Sequence, residues 1–137
     1  MRLICVCTGN TCRSPMAAAL LRRELPEEEI LSCGLFARPG APASRYAAAA
    51  MREMGIDLSE HRARPFSREL AQDSLFLAMT QAHVEGILRI CPEARVRRFL
   101  KDADVPDPFG GDLQTYRRIA RLLERGAGDL AEELRRA

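Results

Sequence analysis

The octapeptide CTGNTCRS, Cys7 to Ser14, constrains the fold more than any other stretch of this 137-residue chain. Directly before it, Arg2–Val6 is a short apolar run with the residue types of a buried strand. Directly after it, Ser14-Pro15 supplies a capping residue type and a first-turn proline, which predicts a helix over Met16–Glu24 that ends before Pro26. The octapeptide is therefore read as the turn between a buried strand and a helix. No lysine follows Gly9, which excludes a nucleotide-binding loop of the GK[ST] kind. What remains is C-x5-R, a thiol and a guanidinium at the two ends of a polar turn.

The strand-to-helix pattern recurs along the chain. Ile30–Leu35 reads as a second strand, and a Pro/Gly-rich loop over Ala37–Ala43 leads into a helix over Arg45–Met54 closed by Gly55. Ser74–Met79 reads as a central strand, Gln81–Cys91 as a helix and Arg95–Leu100 as a fourth strand. After a long loop, Asp102–Gly111, a helix starts at Asp112 with Leu113, Tyr116, Ala120 and Leu123 on one face. Gly126 and Gly128 are expected to break it, with Asp129 capping a last turn. Alternating strands and helices predict an α/β fold: a four-stranded, mostly parallel sheet between helical layers. In such sheets ligands bind beyond the carboxyl ends of the strands, where the octapeptide lies.

Composition narrows the function classes. The length suits one domain, residues 1–137. A net charge of +2, from 21 Lys+Arg against 19 Asp+Glu, gives no strong field for nucleic acid or an anionic membrane. The arginine clusters at 95–98 and 117–121 read as solvated faces. No apolar run has the length of a membrane span or of a secretory signal. Five cysteines at irregular spacing do not resemble a secreted disulfide framework, so the chain is expected to be cytoplasmic with reduced thiols.

A strand–turn–helix loop aims backbone N–H groups and the positive end of the helix dipole into one concavity, which suits a tetrahedral oxyanion. Gly9 and Asn10 are residue types that tolerate unusual dihedrals. Loop donors would stabilise a Cys7 thiolate, and Arg13 can fork onto two oxygens of the bound anion. Ser14 either donates its hydroxyl to the Cys7 sulfur or caps the helix. Cys5, on the same side of the strand as Cys7, reads as an inert small hydrophobe. Cys5, Cys7 and Cys12 lack a C-x2-C spacing, and His61 and His83 stand isolated in sequence, so no metal is expected.

VCTGNTCRSPMA over Val6–Ala17 resembles the active-site loop of the low-molecular-weight protein tyrosine phosphatases. The resemblance extends to SCG at Ser32–Gly34, GIDLSEHRAR at Gly55–Arg64, LAMT at Leu77–Thr80 and DPFGGD at Asp107–Asp112. Two features are similar to the bacterial protein-arginine phosphatase branch in particular. Thr11 stands where tyrosine-specific members usually carry isoleucine, and DPFGG replaces their usual DPY.

The resemblance implies a cofactor-free, metal-free enzyme acting on phosphorylated proteins. Cys7 would be the nucleophile forming a thiophosphoryl intermediate, and Arg13 the oxyanion clamp. Asp107 would be the acid, then the base, with Asp102 and Asp104 as neighbouring candidates. The loop residues Thr8, Gly9, Asn10, Thr11, Cys12 and Ser14 would bind the phosphoryl group. Phe109 would form an aromatic wall or anchor its own loop. Cys12 resembles a second loop cysteine able to form a reversible disulfide with the nucleophile. Ser32 and His61 resemble a polar network that holds the loop, although a surface or capping role also suits His61. Cys33 departs from the family, where a small residue such as alanine is usual. Three activities follow: phosphoarginine phosphatase, phosphotyrosine phosphatase, and a thioredoxin-coupled arsenate reductase for which only Cys91 is available as resolving thiol.

Overall fold

The computed structural model describes residues 1–137. Its four strands are β1 (Arg2–Cys7), β2 (Glu29–Gly34), β3 (Ser74–Ala78) and β4 (Arg95–Arg98). All neighbours pair in parallel, in the order β2-β1-β3-β4. The helices are α1 (Arg13–Glu24), α2 (Arg45–Glu53), α3 (Gln81–Ile90) and α4 (Leu113–Arg136), with one turn of 3₁₀ helix at Arg68–Ala71.

Strand β1 is buried on both faces, as expected for the centre of a parallel sheet. Leu3, Cys5 and Cys7 face the larger core layer, built with α1, α2 and α4. Ile4 and Val6 face the smaller layer, where they join Phe76 of β3 and are covered by Val84 and Ile87 of α3. Cys33 belongs to this second layer and is fully buried, so the unusual residue fills space away from the Cys7 face. The order places the reversal of winding between β1 and β3. The carboxyl end of β1 opens into the crevice there.

The expected elements are present with ends shifted by one to three residues, and two local readings change. Ser14-Pro15 does not cap α1. The helix already begins at Arg13, and Cys12 holds the N-cap position with no side-chain cap bond. Gly126 and Gly128 do not break α4, which runs unbroken to Arg136 with Asp129 inside it. Gly126 is buried against the edge of the sheet: a Cβ there would lie 2.6 Å from Leu100 Cδ2 and 3.0 Å from Phe99 Cε2. The residue is small for close packing, not for a turn. The arginine clusters face solvent as expected; within them Arg97 pairs with Glu133, Arg98 with Asp104 and Arg117 with Glu53.

Candidate active site

Loop 8–12 leaves β1 at full burial and enters α1 without a stretch of free chain. Asn10 makes this possible. Its φ of 57° lies in the left-handed region, where asparagine is among the few tolerated residues. Its fully buried side chain ties three segments together. Nδ2 donates to Ser14 Oγ at 2.8 Å and to Ser32 Oγ at 2.9 Å, while Oδ1 accepts from Arg64 N at 2.8 Å. The Asn10 carbonyl lies 2.7 Å from His61 Nε2, and a carbonyl only accepts, so that ring nitrogen carries the proton. Burial, opposed in part by this bond, lowers the His61 pKa and favours the neutral ring. The expected Ser32–His61 network is thus present, with Asn10 at its centre.

Gly9 does not share the left-handed backbone; the left-handed residue of the turn is Asn10. The glycine that matters sterically is Gly34, at the end of β2. A Cβ there would lie 2.5 Å from the Thr8 carbonyl oxygen and 2.9 Å from Asn10 N. The loop rests directly on the Gly34 backbone, and Leu35 N and Phe36 N donate to the carbonyls of Cys7 and Thr8 at 3.1 and 2.9 Å.

Ser14 resolves its two readings in favour of the thiol. Its oxygen accepts from Asn10 and lies 2.9 Å from Cys7 Sγ. With Asn10 donating, the hydroxyl proton has two acceptors within reach, the Cys7 sulfur at 2.9 Å and, more distant, the Cys33 carbonyl at 3.4 Å. No side chain competes for the first N–H groups of α1, which leaves the positive end of that helix facing the cleft.

Arg13 is buried, and Nη1 donates to the Val105 carbonyl at 3.0 Å. That bond fixes the guanidinium with its other nitrogen, Nη2, 3.7 Å from Asp107 Oδ2. Asp107 is 57% exposed, and its other oxygen accepts from Phe109 N at 3.1 Å. Its two rivals separate cleanly. Asp104 is occupied as an acceptor for Gln81 N and for Arg98, and Asp102 stands exposed outside the cleft. Cys7, Thr8, Gly9, Thr11, Cys12, Arg13, Asp107 and Phe109 together line a cavity of about 340 Å³. Asn10 and Ser14 lie beneath it rather than in its wall. Phe109 reaches 84% exposure at the mouth.

His83 was invisible as a site residue because seventy-five positions separate it from its partner. It is buried in the first turn of α3. Nε2 lies 2.9 Å from Thr8 Oγ1, and Nδ1 lies 2.9 Å from Thr80 Oγ1. Burial, then the nearby Arg13 charge, push its pKa down to about 4, so the ring is neutral near pH 7. Cys12 is also held: its thiol donates to Ser44 Oγ at 3.2 Å and lies 3.5 Å from the Tyr116 hydroxyl. Burial and the Cys12 contact push the Tyr116 pKa up to about 12. Cys91 closes the far end of α3, eight residues beyond His83, roughly 12 Å along the helix axis. That position gives no support to a resolving thiol for Cys7.

A buried strand end, an anion-directed helix terminus, a thiol, a clamped guanidinium and an opposed carboxylate form one cleft. A sequence model described as low molecular weight phosphotyrosine protein phosphatase matches residues 2–137. The chain belongs to this family. As a low molecular weight phosphatase it is 43% identical over 142 residues to a protein-arginine-phosphatase of Geobacillus stearothermophilus, covering 97% of this chain and 95% of that one. It is 36% identical to the low molecular weight protein-tyrosine-phosphatase Wzb of Escherichia coli, covering 96% and 94%. A solved structure of YwlE arginine phosphatase, a cysteine-to-serine mutant with a phosphorylated active-site serine, superposes with a TM-score of 0.93. It is 35% identical and covers 98% of this chain and 96% of that one. No helix of the phosphatase described here is long and apolar enough to cross a membrane.

Proposed function

We propose that residues 1–137 act as one domain that removes phosphate from phosphoarginine side chains of proteins, with Cys7 as nucleophile. The observation that carries this reading is the convergence of Cys7, Arg13 and Asp107 on one cleft whose lining includes the polar Thr11. In the first step the Cys7 thiolate attacks phosphorus, an S–P bond forms and the P–N bond breaks. Asp107 gives its proton to the departing nitrogen. Arg13, the loop N–H groups and the α1 terminus bind the equatorial oxygens, tightest as charge builds in the transition state. Water then attacks the thiophosphoryl group, Asp107 takes its proton, and the S–P bond breaks. The Ser14 hydroxyl, 2.9 Å from the sulfur, stabilises the returning thiolate.

Thr11 favours the guanidinium over an aryl ring because a hydroxyl can bond polar groups at the cleft wall where isoleucine cannot. The name of the 43%-identical relative supports the same preference. Five free cysteines suit a reducing compartment, the cytoplasm. Because Cys12 lies in the same cleft as Cys7, mild peroxide is expected to inactivate the enzyme and thiol to restore it.

The test is a paired assay of phosphoarginine and phosphotyrosine peptides of matched sequence, with wild type and Thr11→Ile. Wild type is expected to prefer phosphoarginine. The variant is expected to shift the kcat/KM ratio toward phosphotyrosine by about 1–3 kcal/mol, the worth of one pocket contact. A wild-type preference for phosphotyrosine, unaltered in the variant, would assign the chain to the tyrosine-specific activity instead.

A further inference from the structure

A second concavity, about 430 Å³, opens beside the catalytic cleft between the end of β2 and the outer side of α3. Leu35, Phe36, Ala82 and Ile90 give it an apolar wall, and Arg89 supplies a cation. Phe36 is 82% exposed and Ile90 45% exposed. With Phe109 at the neighbouring mouth, they are three of the five large apolar side chains that stand open to solvent on the whole molecule. Such side chains carry no message when scattered singly, but two of them line this groove and the third lines the adjoining cleft, which marks the pair of openings as a binding surface.

The groove adjoins the catalytic cleft, because Thr8 lines both. Its position relative to Cys7 is also fixed. Phe36 N donates to the Thr8 carbonyl at 2.9 Å, and the buried His83 ring bonds the Thr8 hydroxyl from the α3 side at 2.9 Å. An extended residue advances about 3.3 Å along a polypeptide, so a chain held by its phosphorylated side chain in the cleft passes over the groove within a few residues.

We propose that this groove is a substrate subsite that takes an apolar side chain flanking the phosphorylated residue, with Arg89 pairing an acidic residue of the same segment. The occupant is the substrate polypeptide itself; this rests on the protein-phosphatase reading above. Catalysis needs only the cleft, whereas discrimination among phosphorylated sites comes from the groove.

The test compares free phosphoarginine with phosphoarginine peptides that carry leucine or serine beside the modified residue, on either side, with or without a neighbouring glutamate. The enzymes are wild type, Phe36→Ser, Ile90→Ser and Arg89→Glu, all altered at solvent-facing positions. Wild type is expected to favour the leucine peptide over the serine peptide by about tenfold in kcat/KM, the value of partly burying one such side chain. Phe36→Ser and Ile90→Ser should erase that preference, and Arg89→Glu should erase the preference for glutamate. All three should turn over free phosphoarginine at the wild-type rate. Equal rates on all peptides, or equal losses on free phosphoarginine and on peptides, would overturn the subsite. A wild-type dimer that Phe36→Ser converts to monomer would also overturn it, by assigning the groove to a second copy. Failure to hydrolyse free phosphoarginine would instead refute the activity on which the subsite rests.

Discussion

Replacing Asn10 by alanine should collapse the phosphate loop without touching a group that contacts phosphate through its side chain. The substitution removes three hydrogen bonds, to Ser14 Oγ, Ser32 Oγ and Arg64 N, from a residue with no solvent exposure. Each is worth about 1 kcal/mol net when both partners are satisfied, and more where a buried group is left without a partner. Alanine at φ 57° adds about 1 kcal/mol of backbone cost. The expected loss is therefore about 4 kcal/mol, at the severe end for a single substitution. Asn10→Asp separates stability from function. Its carboxylate still accepts from Arg64 N, and the two serine hydroxyls can turn to donate to it. Stability should recover substantially. The negative charge beneath the cleft and the diversion of the Ser14 proton from Cys7 should nevertheless suppress phosphate binding and turnover. Urea denaturation followed by circular dichroism gives the first quantity, and phosphate inhibition with kcat/KM gives the second. A loss below about 1 kcal/mol for Asn10→Ala, with full activity, would refute the network as the support of the loop.

Three other outcomes are expected. Asp107→Asn should slow release of a poor leaving group by about 10²–10⁴-fold and of an activated aryl phosphate much less; a larger defect in Asp104→Asn or Asp102→Asn, by steady-state kinetics, would move the acid elsewhere. His83, with its pKa near 4 in the fold, takes its proton after the unfolded chain does as pH falls, so its share of stability is full above about pH 6.5 and is lost toward pH 4. That share is up to about 3 kcal/mol; His83→Gln should flatten the stability profile over this window, and parallel profiles would contradict the assignment. On α4, Gly128→Ala should stabilise by about 0.5–1 kcal/mol because nothing lies within 4 Å of its Cβ, whereas Gly126→Ala should destabilise by crowding Leu100 and Phe99; thermal melts of the pair check both signs.

The layout was legible in the sequence wherever the signal was local. Apolar runs at Arg2–Val6 and Ser74–Met79 and the helix start at Asp112 identify their elements directly. The clustering of the loop residues was legible for the same reason, since Cys7, Asn10 and Arg13 sit within one turn. What the sequence hid depends on partners distant in the chain. Gly126 reads as a breaker until Phe99 and Leu100 are seen against it. His83 reads as isolated until α3 starts beside Thr8. Val105 offers only a backbone carbonyl, so no side-chain pattern could mark it as the anchor of Arg13. The sequence favoured Asp107 over Asp104 only through the DPFGG resemblance; that Asp104 already accepts from Gln81 N and Arg98 is a property of the folded loop.

The central claim is that Cys7 attacks phosphorus. A Cys7→Ser protein is expected to keep the loop and Arg13, and to give a phosphoserine ester that hydrolyses far more slowly than the S-phosphorylated cysteine. Incubated with a phosphoarginine peptide, digested and examined by mass spectrometry, it is expected to carry one phosphate on the serine at position 7 while releasing no inorganic phosphate on repeated turnover. Sustained turnover in that variant, or phosphate found on another side chain such as His83 in the wild-type enzyme, would contradict the account.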